Sequence, residues 1–202
     1  MMRRLFAAMY ERVSKGSEEA GLREERRRLL AAAAGSTIEI GAGTGLNVPL
    51  YPGTVTRLVL AEPDRHMRTR LTRRVEESSS AAEVVDASAE RLPFADAMFD
   101  TAVVSFVLCS VDDQQVALRE IARVVKPGGR LLFLEHVRSE DGRVARFQDR
   151  IRPFYNLVGC NPNRKTLEAI EDSAFTVESV KHGEVPKAPK VERPLIVGSA
   201  RR

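Results

Sequence analysis

The 202-residue sequence has no tryptophan, two cysteines and three histidines, and aromatic side chains make up 5% of it. Cys109 and Cys160 lack CxxC spacing, which excludes a disulfide framework and a structural zinc site, so we predict no metal and reduced thiols. No apolar run reaches the roughly 18 residues that a membrane span requires. The apolar stretch Leu5–Tyr10 is too short for a signal-peptide core, and we expect a cytoplasmic protein without stable membrane insertion.

The excess of positive charge is also small. Lys and Arg number 32 against 28 Asp and Glu, which gives a formal net charge of +4 and a pI of about 9.3. The run Arg23–Arg28 interleaves acids with bases, a pattern typical of a solvated helix face and not of a phosphate-binding track. We therefore expect no nucleic-acid partner.

The length suits one domain, predicted over residues 1–202, with residues 1–34 forming an N-terminal helical cap. Apolar residues at helical spacing predict helices over 5–13 and 18–34. The helix over 5–13 would either close over a substrate or pack on the sheet.

Short β runs then alternate with helical segments up to residue 136. Predicted strands cover 37–40, 57–61, 83–85, 99–104 and 130–136, and the helices between them include 64–75 and 113–125. This alternation predicts an α/β fold whose parallel sheet is covered on both faces. Helices near 143–158 and 164–173 precede two strands, 175–182 and 193–200, with no helix between them, which predicts an antiparallel hairpin at the sheet edge.

A glycine-rich turn, Gly41 to Gly45, follows the first strand, where open α/β sheets bind ligands. Its spacing is G-x-G-x-G, whereas a dinucleotide fingerprint requires G-x-G-x-x-G. Glu39 precedes the turn and Glu62 ends the next strand. A carboxylate beside a pyrophosphate is unfavourable, whereas two carboxylates suit a ligand with cationic groups and a ribose. The alternatives are a tight turn with two incidental acids, and binding of NAD.

These residues resemble the first motif of the class I S-adenosylmethionine (SAM)-dependent methyltransferases. The resemblance continues through Leu60–Asp64, through Leu92–Asp100, which is similar to the LPF-x-D-x-x-FD signature of the UbiE branch, and through Arg123–Gly129. The finer match is to the methyltransferase-like seven group, which includes thiol methyltransferases. It is carried by Val107–Val111, Glu135–Val137 and Gly159–Asn161 with Arg164.

The resemblance implies a Rossmann-like three-layer sandwich with a seven-stranded, mostly parallel sheet and an antiparallel C-terminal strand. It implies that SAM is the cofactor and S-adenosylhomocysteine the product. Glu39 and the glycine turn would hold the methionine part, Glu62 the ribose, and Pro63 with the Ser88–Glu90 turn the adenine. Many members carry Asp at the position of Ser88. The implied cofactor-binding residues are Glu39, Gly41, Ala42, Gly43, Gly45, Asn47, Glu62, Pro63, Ser88, Ala89, Glu90, Ser105 and Phe106.

The segments after strands four and five should face the transferred methyl group. His136 is the preferred general-base candidate, with Glu135 beside it; the alternative is an ordinary histidine bonded to the backbone at a strand end. Phe147, Phe154 and Tyr155 could wall an apolar acceptor pocket or pack in the core.

We expect a small, lipophilic acceptor and a monomer or homodimer. A thiol is favoured by resemblance, and a quinone precursor or a phospholipid amine is the alternative. A non-enzymatic SAM-binding protein and an NAD-linked oxidoreductase are the remaining rivals. Methylation of nucleic-acid bases is disfavoured because Ser105–Leu108 stands where such enzymes usually carry N/D-P-P-aromatic.

Overall fold

The computed structural model describes residues 14–78, 80–155 and 159–202, and it contains seven named strands. They are β1 (Gly35–Ile40), β2 (Val55–Ala61), β3 (Glu83–Val85), β4 (Phe99–Ser105), β5 (Val125–His136), β6 (Thr176–Glu184) and β7 (Pro194–Arg201). They form one sheet in the order β3-β2-β1-β4-β5-β7-β6. The first five strands are parallel, and β7 runs antiparallel to both β5 and β6. The predicted α/β sheet with its antiparallel C-terminal hairpin is thereby confirmed.

Five α-helices accompany the strands within the described residues, and the first of them precedes β1. They are α1 (Arg23–Leu30), entered through a π-helical turn at Glu18–Leu22, then α2 (Arg65–Glu77), α3 (Gln114–Val124), α4 (Gly142–Tyr155) and α5 (Thr166–Glu171). Asp64 and Asp113 begin α2 and α3 by accepting hydrogen bonds from the first helical N–H groups at 2.8 and 3.1 Å. None of the described helices has the length and apolar character to cross a membrane.

Helices cover both faces of the sheet, which is the predicted three-layer arrangement. In β4, Val104 packs in the cluster that contains α3, whereas its neighbour Val103 packs in the cluster that contains α1. Both are fully buried. A strand that is buried on both faces has a continuous run of aliphatic residues, and this run allowed the central strands to be predicted from the sequence.

The structure differs most from the sequence-based expectations in the second helix and at the start of β5. The second helix is interrupted at Gly21, whose φ is +127°, and α1 ends at Leu30. β5 begins at Val125, five residues before the predicted start, because the segment around Gly128 forms an irregularity in the ladder and pairs with the chain end at Arg202. The predicted helix over 5–13 lies outside the described residues.

Gly198 lets β7 pass between its two neighbours. A Cβ built at Gly198 would lie 2.1 Å from the Ser179 carbonyl oxygen and 2.6 Å from Cζ of Phe133. Real Cβ atoms do not approach other atoms so closely, so the position requires glycine for packing.

Gly198→Ala should therefore lower the free energy of unfolding by about 1–3 kcal/mol, because neither the strand backbone nor the buried ring can yield without strain. Urea denaturation at equilibrium measures this change. Gly53→Ala is the matched control, since its Cβ would meet nothing within 4 Å. Equal stability of the two variants would contradict the packing argument.

Candidate active site

The glycine turn after β1 has the backbone conformation that its sequence predicts. Gly41, Gly43 and Gly45 have φ values of +66°, +58° and +83°, which side-chain-bearing residues rarely adopt. A Cβ at Gly41 would lie 2.5 Å from Val107, and one at Gly45 would lie 2.7 Å from Leu71. A Cβ at Gly43 would meet nothing within 4 Å. Gly43 is therefore the point at which a ligand can approach the bare backbone.

Glu39, the penultimate residue of β1, is buried and held by two side chains. Asn47 Nδ2 donates to its Oε1 at 2.8 Å, and the Tyr51 hydroxyl donates to its Oε2 at 2.7 Å. Burial raises the pKa of Glu39 to about 7, although these two hydrogen bonds and the nearby Arg26 act in the opposite direction. The carboxylate therefore lacks a full countercharge.

Glu62, directly after β2, is the second buried acid of this edge. Its Oε2 accepts a hydrogen bond from Gly43 N at 2.8 Å, and its Oε1 accepts one from Asp64 N at 2.8 Å. Burial raises the pKa of Glu62 above its ordinary value, and the negative charge of Glu62 in turn helps to raise the pKa of Glu39. The structure thus brings the two predicted acids to the same turn.

These residues fit SAM better than a dinucleotide. Two buried carboxylates without full compensation favour a cationic ligand and repel a pyrophosphate. Thr44 Oγ1 in the same turn is buried without a hydrogen-bond partner, and the side of Gly43 that a Cβ would occupy is open. The turn therefore offers acceptors and backbone access on its ligand side.

The predicted adenine residues lie along the neighbouring edge of the sheet. Glu62 N donates to Val85 O at 3.0 Å, so Pro63 and the segment after β3 follow two paired strands. Ala89 is buried, and Ser88 is half-buried in a tight turn. The Glu90 carboxylate accepts a hydrogen bond from Asp112 N at 2.8 Å. Glu90 thereby joins this turn to the segment that follows β4.

The turn after β4 contains a strained residue. Phe106 has a φ of +60°, a conformation that costs a non-glycine residue of order 1 kcal/mol or more. Glu135 stabilises the residues that follow, because its carboxylate accepts hydrogen bonds from the N–H groups of Val107, Leu108 and Cys109 at 2.8, 3.0 and 3.3 Å. Burial nevertheless raises the pKa of Glu135 to about 7. Its oxygens are committed to the backbone, and its carboxyl group is completely buried.

His136 lies beside this turn, with its ring 4.4 Å from the Phe106 ring, centroid to centroid. Burial lowers the pKa of His136 to about 4, Arg26 acts in the same direction, and a hydrogen bond with the Glu192 backbone opposes both. Nδ1 is buried without a partner. The imidazole is therefore neutral at physiological pH. It has both the free nitrogen that a base requires and the backbone contact of an ordinary strand-end histidine.

Arg26 links Asn47, next to the glycine turn, to Phe106 in the turn after β4. Arg26 was not identified as a buried residue from the sequence. It is 4% exposed, although Arg23, Arg27 and Arg28 of the same run are exposed as predicted. Its guanidinium donates to Asn47 Oδ1 at 3.1 Å and to Glu18 at 3.0 Å.

The same guanidinium lies 5.3 Å from the centre of the Phe106 ring, and Asn47 in turn donates to Ser105 at 3.2 Å. The position of Arg26 in the sequence could have revealed its burial, because it shares one helix face with Leu22, Leu29 and Leu30. All four residues are buried.

Asn161 and Arg164, which belong to the late motif of the finer resemblance, support the turn after β4. Asn161 donates its backbone N–H to Cys109 O at 2.8 Å, and Arg164 Nη1 donates to Leu108 O at 2.7 Å. Glu135 accepts hydrogen bonds from the N–H groups of this turn, whereas the late motif donates hydrogen bonds to its C=O groups. Phe147 and Phe154 do not pack in the core, since both are exposed.

Comparison with known proteins agrees with this geometry. A methyltransferase domain family matches residues 38–133. Thiol S-methyltransferase TMT1A of Homo sapiens is 33% identical over 171 residues, which cover 82% of this chain and 70% of that protein. Phosphatidylethanolamine N-methyltransferase of Cereibacter sphaeroides is 32% identical over 139 residues, covering 66% of this chain and 68% of that protein.

The ubiquinone/menaquinone biosynthesis C-methyltransferase UbiE of Klebsiella pneumoniae is 38% identical over 120 residues, which cover 50% of this chain and 47% of that protein. A SAM-dependent methyltransferase structure from Thermotoga maritima superposes with a TM-score of 0.71 at 24% identity, over 98% of this chain and 96% of that chain. The chain belongs to the class I SAM-dependent methyltransferases. Within them it falls in the branch that contains the thiol S-methyltransferases and UbiE.

Arg26→Gln should lower the free energy of unfolding by roughly 1.5–3 kcal/mol, because it removes charge-assisted hydrogen bonds from a buried site. It should also weaken SAM binding, because Asn47 loses the partner that directs its amide toward Glu39. Chemical denaturation and calorimetry measure the two effects.

Arg27→Gln is the matched control on the same helix. Its guanidinium pairs with Glu24 at 3.4 Å on the surface, so its effect should stay within about 0.5 kcal/mol. The interpretation of Arg26 is wrong if both variants bind SAM as the wild type does.

The affinity for SAM should rise with pH through about 7, the pKa of Glu39. A cation binds the carboxylate and not the carboxylic acid, so affinity falls as pH drops below that pKa and levels off above it. Glu39→Gln should weaken binding by roughly 10- to 100-fold and flatten this pH dependence. Calorimetry over a pH series with SAM and with S-adenosylhomocysteine provides the measurement.

Both ligands carry the ammonium group, so both should show the same pH dependence if Glu39 binds that group. A pH-independent affinity in the wild-type protein would argue that the carboxylate does not contact a charged part of the ligand.

Proposed function

We propose that this methyltransferase acts on the thiol of a small, lipophilic molecule. Neither candidate base beside the turn after β4 suits a weakly acidic acceptor. Glu135 gives its oxygens to three backbone N–H groups, and the pKa of His136 is about 4. An acceptor that ionises without help from the protein matches such a site best.

The proton balance separates a thiol from a phenol or an alcohol. When bound, SAM supplies a methyl group on a positively charged sulfur, which an in-line nucleophile displaces. A thiol with a pKa near 8.5 is a few per cent ionised at neutral pH, so it can lose its proton to solvent before transfer. A phenol with a pKa near 10 or an aliphatic alcohol would depend on a well-placed base.

The chain's own residues contribute orientation and exclusion of water. Glu39, Glu62 and the glycine turn would hold the cofactor, and Ser105 would keep Asn47 oriented. On the acceptor side, Phe106 and the neutral His136 offer an apolar, uncharged surface, and positioning of the two reactants there can supply several kcal/mol of the rate enhancement. Glu135 is then a positioning residue for the turn after β4.

The relatives support this choice without fixing it. A thiol S-methyltransferase is among them, which favours sulfur. Phosphatidylethanolamine N-methyltransferase and UbiE favour the alternatives, a phospholipid amine or a quinone precursor. The last two relatives are named for lipids, which supports a lipophilic acceptor whichever atom is methylated.

A panel of matched aryl acceptors that differ only in the nucleophilic atom tests the proposal. With radiolabelled SAM, the thiol should give the highest kcat/KM, and its pH profile should follow the pKa of the acceptor. Preference for the amine or the phenol under the same conditions would replace the thiol by one of the alternatives.

His136→Gln provides the matched control for base catalysis. A general base contributes typically 10²- to 10⁴-fold, so retention of thiol methylation within about 10-fold is expected if solvent takes the proton. A loss beyond about 100-fold, with SAM affinity unchanged, would assign proton transfer to His136 and refute the base-free mechanism.

A further inference from the structure

The outer face of α4 exposes two phenylalanines. Phe147 is 53% exposed and Phe154 is 72% exposed, and the only other large hydrophobic residue exposed among the described residues is Val180. The two phenylalanines are seven positions apart, which places them on one side of the helix at a separation of about 10 Å along its axis. An apolar pair of this kind, open to solvent on one side of a helix, indicates an interaction surface.

Three arginines flank the phenylalanines on the same face. At 3.6 residues per turn, Arg143, Arg146 and Arg150 fall with Phe147 and Phe154 within an arc of about 100°. All three are exposed, and none forms an ion pair with another described residue. The single acidic residue of α4, Asp149, pairs with Arg138 instead. The face therefore carries uncompensated positive charge beside an apolar strip.

The opposite face fixes α4 beside the acceptor edge. Gln148 is fully buried, and its amide nitrogen contacts the carbonyl oxygens of Val137 at 3.2 Å and of Pro162 and Val191 at 2.9 Å. Its Oε1 accepts a hydrogen bond from Ser139 N at 2.8 Å. Val137 directly follows His136, so the helix is anchored to the end of β5 at the candidate acceptor site.

We propose that this face of α4, defined by Arg143, Arg146, Phe147, Arg150 and Phe154, docks on an anionic lipid surface. Phenylalanine rings enter the interface between headgroups and acyl chains, and arginines beside them pair with lipid phosphates. Docking through α4 would turn the acceptor edge toward the lipid. This last consequence rests on the proposed lipophilic acceptor, whereas the docking itself does not.

The shape of the face favours a lipid surface over a nucleic acid. Proteins that bind single strands combine aromatic side chains with a groove that follows the backbone. Here the rings project from the convex side of a helix, and the arginines lie along one side of them. A flat, fluid, anionic partner can meet all five side chains at once.

The absence of tryptophan from the chain permits a direct test. Phe147→Trp, Phe154→Trp and Val180→Trp each create a single fluorescent reporter in the full-length protein. On addition of mixed phosphatidylcholine–phosphatidylglycerol vesicles, the two α4 reporters should shift to shorter wavelength as they leave water. The reporter at Val180, which lies on the edge strand β6, should not shift.

Sedimentation with vesicles measures the contribution of charge. The triple variant Arg143→Gln/Arg146→Gln/Arg150→Gln should lower the partition coefficient on anionic vesicles on the order of 100-fold, and pure phosphatidylcholine should bind weakly. Neutralising three exposed cations elsewhere, Arg70, Arg119 and Lys190, provides a control with the same net charge. That control should retain most of the binding.

Several results would overturn the docking proposal. They are no partitioning of the wild-type protein, equal loss in the triple variant and its control, and a shift of the Val180 reporter alone. Two further results would assign the face to another occupant. Reporters already blue-shifted without vesicles would indicate cover by residues 1–13 or by a second copy, and a shift with RNA but not with vesicles would indicate a nucleic acid. Calorimetry with SAM on the same variants reports separately on the proposed function.

Discussion

The structure depends on how it accommodates carboxylates buried at the ends of parallel strands. A buried carboxylate is unfavourable by several kcal/mol unless donors or a cation compensate it. Glu39, Glu62 and Glu135 are each buried at the carboxyl end of a different strand, and each organises a turn through hydrogen bonds. Burial still raises the pKa of all three, so the compensation is incomplete. The free energy left uncompensated is what a cationic ligand can recover on binding at the first two.

The same three acids divide the edge of the sheet into two chemically different halves. Glu39 and Glu62 face the open glycine turn and are suited to a charged cofactor. Glu135 points its charge into the backbone of the acceptor-side turn and leaves Phe106 and a neutral His136 at the surface of that half. Under the proposed function, a cationic methyl donor binds the first half, and a neutral or self-ionising acceptor binds the second.

The sequence predicted the parts of this arrangement that depend on local pattern. Buried strands read as aliphatic runs, the glycine turn requires positive φ, and the hairpin at the C-terminus follows from two strands without a helix between them. Arg26 was missed because a basic run normally points to solvent, and only its coincidence with an apolar stripe marks it as buried. The early start of β5 was missed because the segment around Gly128 pairs with the chain end at Arg202, a contact between residues far apart in sequence. The exposure of Phe147 and Phe154 depends on which face of α4 Gln148 anchors, which periodicity alone does not decide.

Fold alone does not select the acceptor, because the same sheet and glycine turn serve relatives named for sulfur, nitrogen and carbon acceptors. What can differ between them is the protonation chemistry available beside the methyl group. In this chain burial lowers the pKa of His136, and Arg26, which lies 5.3 Å from the Phe106 ring, adds a smaller effect in the same direction. The other contacts of Arg26 order Asn47 beside Glu39. Burial is the main cause of the weak basicity of His136, and the buried guanidinium on α1 adds to it while it orients Asn47, a predicted cofactor-binding residue. Under the proposed function, acceptor choice then follows from the burial of the end of β5, through the proton that His136 is unable to hold.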